Sequence, residues 1–194
     1  MTEGRPSARD RLLAASDELF YNEGIHTVGI DRVIEKADVA KGSLYYIFGG
    51  KDQLIEAYLF NRHQVWMRTI QAGIDKVDGP QAKILAVFDV LGELFARPDY
   101  RGCAFMNATA EAKEGSPEDL AAAKFRTWVH GLFLDLARNA GAEDATDLAE
   151  QLVVLYDGAT TTSQMDKTAR PALTARRMAG LVLAASSFAE VASA

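Results

Sequence analysis

Residues 27–51, TVGIDRVIEKADVAKGSLYYIFGGK, constrain this chain more than any other stretch. Val33 and Ile34 give a short helix an inward face over about Ile30–Lys36. Ala37-Asp38-Val39 forms a turn. Leu44 and Phe48, four residues apart, share one face of a second short helix over about Lys41–Ile47, and Gly49-Gly50 breaks the chain before Lys51. Helix, tight turn and second helix, in that order, are the architecture of a helix-turn-helix nucleic-acid reader.

The residue types fit such a reader. A helix that lies in a DNA groove must bring its backbone close to the duplex and touch the flanking phosphates. Lys41 supplies a cation, Gly42 has no side chain to hold the backbone off, and Ser43 offers a hydroxyl. Tyr45 and Tyr46 point outward, where phenol hydroxyls can bond phosphate oxygens. Arg32 is a further cation on the preceding helix. Lys51 opens the next helix, whose free N–H groups favour an anion. Adjacent tyrosines also occur as core and rim, so the ordered combination carries more than any single residue.

Charge works against a general affinity for DNA. The 194 residues carry a formal net charge of −6, and residues 1–62 hold eight Lys or Arg against ten Asp or Glu. Contact with phosphates therefore has to come from local clustering of cations.

The rest reads as helix, without sustained strand alternation. A first helix is expected over about Ser7–Asn22, with Leu12, Leu13, Leu19 and Phe20 inward and Gly24 just past its end. A fourth runs from Lys51 to about Val77. Asp78-Gly79-Pro80 breaks it, and a fifth carries Ile84, Val87, Phe88, Leu91, Leu94 and Phe95 at helical spacing. A loop over Arg97–Arg101 and a sixth helix over about Cys103–Lys113 follow. Ser116-Pro117-Glu118-Asp119 is a capped start for a seventh. The eighth spans about Ala145–Lys167 and the ninth Pro171 to about Val191. The expected class is all-α, with a DNA-binding domain over 1–52 (helix-turn-helix about 29–48) and a ligand-binding and dimerisation domain over 53–194.

Nearly half the residues are apolar, enough for a real core. No apolar run is long enough to span a membrane and MTEGRPSARD has no signal-peptide segment, so the expected location is cytoplasmic, without a membrane partner. The single cysteine excludes an internal disulfide framework and a cysteine zinc site. His26, His63 and His130 have no metal-ligand spacing, so neither metal nor cofactor is expected. No nucleophile–base arrangement marks an enzyme.

The stretch VIEKADVAKGSLYYIFGGKDQL resembles the N-terminal domain of the TetR family of transcriptional regulators. Ala37, Val39, Lys41, Gly42, Ser43, Leu44, Tyr45, Phe48, Lys51 and Leu54 fall on that family's K-G-[ST]-L-Y-x-x-F and K-x-x-L pattern. Leu19, Phe20 and Gly24 fit the helix upstream. The resemblance covers about residues 8–58. Gly29 stands where the family often has a threonine cap, and Asp38 replaces the turn glycine.

The resemblance implies a homodimer through the last two helices, reading a palindromic operator in double-stranded DNA as a repressor. Leu148, Leu152, Leu155 and Ala159 on the eighth helix and Met178, Leu181, Val182, Ala185 and Phe188 on the ninth are the expected surface, with intramolecular core as the alternative. It also implies a small-molecule inducer, apolar or amphipathic. The candidate pocket residues are Trp66, Phe88, Phe95, Cys103, Phe105, Met106, Asn107, Trp128, Phe133, Tyr156 and Thr160, each of which also suits plain core. Cys103, beside Arg101 at a helix start, is either an oxidant- or electrophile-sensing thiol or a small packing residue. DNA binding without ligand control stays open.

Overall fold

The computed structural model describes residues 5–110 and 112–189. Among these, nine helices and no strand form: α1 (Ala8–Glu23), α2 (Ile30–Ala37), α3 (Lys41–Phe48), α4 (Lys51–Ile74), α5 (Pro80–Phe95), α6 (Ala104–Thr109), α7 (Pro117–Asn139), α8 (Ala145–Asp166) and α9 (Arg170–Ala185).

Local chemistry sets most boundaries. The Ser7 hydroxyl accepts from the Asp10 N–H and caps α1, and the Asp144 carboxylate accepts from the Asp147 N–H at the start of α8. At α7 the Ser116 hydroxyl accepts from the Asp119 N–H, while the Asp119 carboxylate accepts from the Gly115 N–H at 2.9 Å. Pro80 and Pro117 open α5 and α7, where a missing N–H costs nothing. Asp38 ends α2 in the left-handed region at φ 52°. Aspartate tolerates that conformation better than most side chains, which is why a turn without glycine still closes.

Three ends differ from the sequence reading. α4 stops at Ile74 rather than Val77, because the Lys76 and Val77 N–H groups turn back tightly onto the carbonyls of Gly73 and Ile74. α6 is confined to Ala104–Thr109; past it the Ala112 N–H reaches the Thr109 carbonyl in a turn. α9 ends at Ala185, and Val191 lies outside the described residues. The Ser186 hydroxyl donates to the Val182 carbonyl, and the chain then extends to pair with the α7–α8 loop. The Glu143 N–H donates to the Ser187 carbonyl and the Ala189 N–H to the Gly141 carbonyl. Phe188 thus sits in a short antiparallel bridge opposite Ala142, not on the face of α9.

The described chain divides into two compact units: residues up to Gln64 with Ala104–Ala123, and Val65–Cys103 with the residues from Lys124 on. In the first, α1 packs on α2 and α3. Leu12, Leu19, Val33, Leu44, Leu54 and Leu59 are buried to 5% exposure or less, and the Phe20 and Tyr58 rings meet edge to face at 5.5 Å. In the second, α9 packs against α5 and α8. Ala172, Ala175 and Ala179 are buried there, and small side chains are what let helices approach closely. The core includes Ile84, Phe88, Leu91, Val129, Phe133, Leu148 and Leu152.

Candidate nucleic-acid interface and inner aromatic cluster

The first unit presents α3 with one face held and one face free. Leu44 is fully buried, whereas Tyr45 is 48% and Tyr46 92% exposed. Both phenol hydroxyls are therefore free to reach a surface laid against α3. A Cβ on Gly42 would meet nothing within 4 Å, so nothing inside the unit requires a glycine there. Ser43 and Lys51 are half-buried, and the Ser43 N–H donates to the Ala40 carbonyl, closing the first turn of α3. Phe48 is half-buried under the Arg9 guanidinium, 5.7 Å from the ring centre.

Four cations on this surface are engaged by carboxylates. Lys41 Nζ lies 2.8 Å from Asp31, whose hydrogen bond and charge hold the ammonium pKa above its ordinary value. Arg32 makes a two-pronged pair with Glu23, Lys36 Nζ lies 2.7 Å from Glu18, and Arg5 pairs with Asp38. Lys41 and Arg32, the cations expected to meet DNA, are paired in ways that sequence spacing does not reveal, because the partners lie nine or ten residues away across turns.

Two arginines that sequence reasoning missed hold this unit together. Arg11 donates to the carbonyls of Ala37 and Asp38, each at 2.9 Å, and of Pro6 at 3.1 Å, tying the segment before α1 to the turn before α3. Arg62 forks onto Asp17 at 2.5 and 2.8 Å and stacks 3.9 Å from the centre of the Tyr21 ring, fastening α4 to α1. No local motif announces either contact; each needs the helices already packed.

Of the pocket candidates, Trp66, Phe88, Phe95, Cys103, Trp128, Phe133, Tyr156 and Thr160 belong to the second unit, and Phe105, Met106 and Asn107 to the first. Tyr156 is the hub of the former group. Its hydroxyl accepts from Trp66 Nε1 at 2.9 Å, and its ring meets Phe133 edge to face at 5.9 Å. Phe133 in turn lies 5.9 Å from Phe88. Burial, and then the nearby Cys103 thiol, push the Tyr156 hydroxyl far above its ordinary pKa, so it stays protonated. The Thr160 hydroxyl donates to the Tyr156 carbonyl within α8. Cys103 is half-buried just ahead of α6, and the Phe95 ring packs on Tyr100 rather than on Tyr156. Trp128 is half-buried against Phe125. In the first unit Phe105 is buried and edge-on to His63 at 6.1 Å, while Met106 and Asn107 are exposed.

Gly102, between Arg101 and Cys103, has φ 93°, and a Cβ there would fall 2.2 Å from the Gln164 side chain. The positive φ favours glycine there, and a Cβ would also force the end of the Gln164 side chain to move.

The expected dimer surface is corrected in part. Leu148, Leu152 and Ala159 are at most 5% exposed within one protomer and belong to its core. Met178 and Leu181 stay exposed as expected, and Val154, Met165 and Leu173 join them as apolar surface left open on α8 and α9. Val154, Leu155, Gly158, Pro171 and Met178 line a groove of about 560 Å³ there.

A helical chain with a helix-turn-helix near its start and a second all-α unit defines a class of DNA-reading regulators, and comparison with known proteins agrees. Residues 12–58 match the family described as bacterial regulatory proteins, tetR family. The crystal structure of a TetR-family transcriptional regulator from Streptomyces coelicolor is 33% identical, covers 92% of this chain and 95% of that one, and superposes with a TM-score of 0.85. A putative TetR transcriptional regulator from Streptomyces avermitilis is 27% identical over 95% of this chain and all of that one, with a TM-score of 0.83. The chain belongs to the TetR family of transcriptional regulators. Similarity to the HTH-type transcriptional regulator SrpR of Pseudomonas putida is 28% identity over 89 residues, 39% of this chain and 42% of that one; the match spans less than half of that relative. Among the described residues no helix is long and apolar enough to cross a membrane.

Proposed function

We propose that the protein is a homodimeric repressor that reads a palindromic operator with α3 and is released by a small apolar or amphipathic inducer. The observation that carries the DNA reading is the asymmetry of α3: Leu44 fixes the helix, while Tyr45, Tyr46, Gly42 and Lys41 are left facing out. Tyr45 and Tyr46 supply phosphate contacts, Ser43 a base-edge or phosphate hydroxyl, Gly42 the close approach, and Lys51 and Arg32 flanking charge. A dimer is needed because one short helix covers too little DNA, and two recognition helices about one helical turn apart read both half-sites. The open face of Val154, Met165, Met178 and Leu181 supports pairing through α8 and α9.

Likeness to the family supports the inducer reading; within this chain Trp66, Tyr156, Phe133 and Phe88 pack on one another, so a ligand meeting the neutral Tyr156 hydroxyl would have to part these rings. Such a ligand acts only through different affinities for the DNA-competent and DNA-incompetent arrangements. Selection from a random-sequence duplex pool, followed by titration of the selected DNA at fixed salt, tests the reading. Enrichment of an inverted repeat supports it; absence of enrichment by a folded dimer refutes it.

A further inference from the structure

Four ion pairs crowd the surface of α1, α2 and α3: Arg5 with Asp38, Arg32 with Glu23, Lys36 with Glu18 and Lys41 with Asp31. They are exposed. The Lys41 and Asp31 side chains are 60% and 77% accessible, and those of Arg5 and Asp38 are 64% and 83%. Pairs this open to solvent are screened and add little to folding stability. Their consequence lies where another charged body meets this surface.

Within Ile30–Phe48 the charges balance: Arg32, Lys36 and Lys41 against Asp31, Glu35 and Asp38. A surface that reads a polyanion without net positive charge lacks the usual sequence-independent attraction. Asp31 sits in the first turn of α2 and Asp38 in the turn before α3, so both carboxylates lie on the approach to α3.

Resting on the DNA reading above, we propose that Asp31 and Asp38 are specificity determinants that reject non-cognate DNA. On arbitrary sequence, Lys41 and Arg5 exchange a carboxylate partner for a phosphate, and the released carboxylate then faces phosphates of its own sign. The exchange gains little and the repulsion remains. On the operator, base-edge hydrogen bonds fix one register of α3 in which Asp31 and Asp38 stand off the phosphates, so the repulsion is smaller there. Specificity is a difference of affinities, and a repulsive element raises it by weakening the wrong complex more than the right one.

The test compares wild type with Asp31→Asn/Asp38→Asn on two duplexes, one selected by the wild type from a random pool and one of scrambled sequence, across a series of salt concentrations. Asparagine keeps the shape of both side chains and also tolerates the left-handed backbone at residue 38. Glu143→Gln/Glu150→Gln, on exposed positions of the second unit, changes net charge equally and serves as the control. The Asn pair is expected to bind scrambled DNA about tenfold more tightly than the control does, with a smaller gain on the selected duplex. Its salt slope on scrambled DNA should steepen by about 0.9 for each freed cation. Asp31→Glu, which keeps the charge, should behave as wild type and guards against a folding effect.

Equal affinities for the Asn pair and the control on scrambled DNA overturn the filter while leaving the reader intact. An equal gain on both duplexes overturns it too, since specificity would be unchanged. If wild type enriches no sequence, the DNA reading fails, and the filter fails with it.

Discussion

Replacing Gly102 by alanine tests the reasoning about the second unit most sharply. The residue is buried with φ 93°, and a Cβ would stand 2.2 Å from Gln164 Cδ and Oε1 and 2.7 Å from Nε2. The backbone term alone is about 1–2 kcal/mol for a non-glycine residue in that region. Crowding in a packed site adds about 1–3 kcal/mol, unless the Gln164 amide, the flexible end of its side chain, swings away. The two together amount to about 2–5 kcal/mol, or a Tm lowered by roughly 4–20 °C at 2–4 °C per kcal/mol. Thermal and urea unfolding of Gly102→Ala, Gln164→Ala and the double variant separate the two terms. The double variant should recover the crowding part and retain the backbone part, giving a coupling of about 1–3 kcal/mol. Strict additivity would show that Gln164 does not confine residue 102. An unchanged Tm for Gly102→Ala would refute the account of both terms.

Tyr156→Phe leaves Trp66 Nε1 without its acceptor at 2.9 Å; with Trp66 half-buried, the expected loss is about 1 kcal/mol, read by urea denaturation. Leu181→Glu, at a position 72% exposed in the protomer, should convert the dimer to monomer in sedimentation without loss of helix content; a persistent dimer would place the interface elsewhere. Burial holds His63 below its ordinary pKa of 6.5, so the folded chain resists a proton that the unfolded chain accepts. The stability is therefore complete above about pH 6.5 and falls as pH drops through the lower folded value. His63→Gln should flatten that fall in unfolding midpoints measured from pH 7 to 5, and an unchanged slope would assign it to other groups.

The sequence was most legible where local rules act alone. The N-terminal bounds of α5, α7 and α8 follow from prolines and capping side chains, and the α2–turn–α3 order follows from Val33, Ile34, Leu44 and the glycines at 49 and 50. The sides facing a partner were less so. Leu148 and Leu152 on α8 are apolar, as are Val154 on α8 and Leu181 on α9, and helical spacing cannot say which of them the protomer's own helices cover. The end of α9 was hidden for a similar reason. Ser186 and Ser187 are tolerable in a helix, and only the pairing of Ser187–Ala189 with Gly141–Glu143 draws the chain away. At the DNA-facing surface the residue types were legible and their electrostatic state was not. Asp31 and Lys41 are ten residues apart and become neighbours only once the turn is closed at Asp38.

Whether α3 reads a defined DNA sequence is decided by titrating the selected duplex with wild type beside Lys41→Ala/Tyr45→Ala at fixed salt. Because both side chains are exposed, the double variant should fold and dimerise as wild type does. It should lose at least tenfold in affinity for the selected duplex, two positioning contacts having gone at an order of 1 kcal/mol or more each. Unchanged affinity in the double variant would place DNA recognition on another surface of the chain.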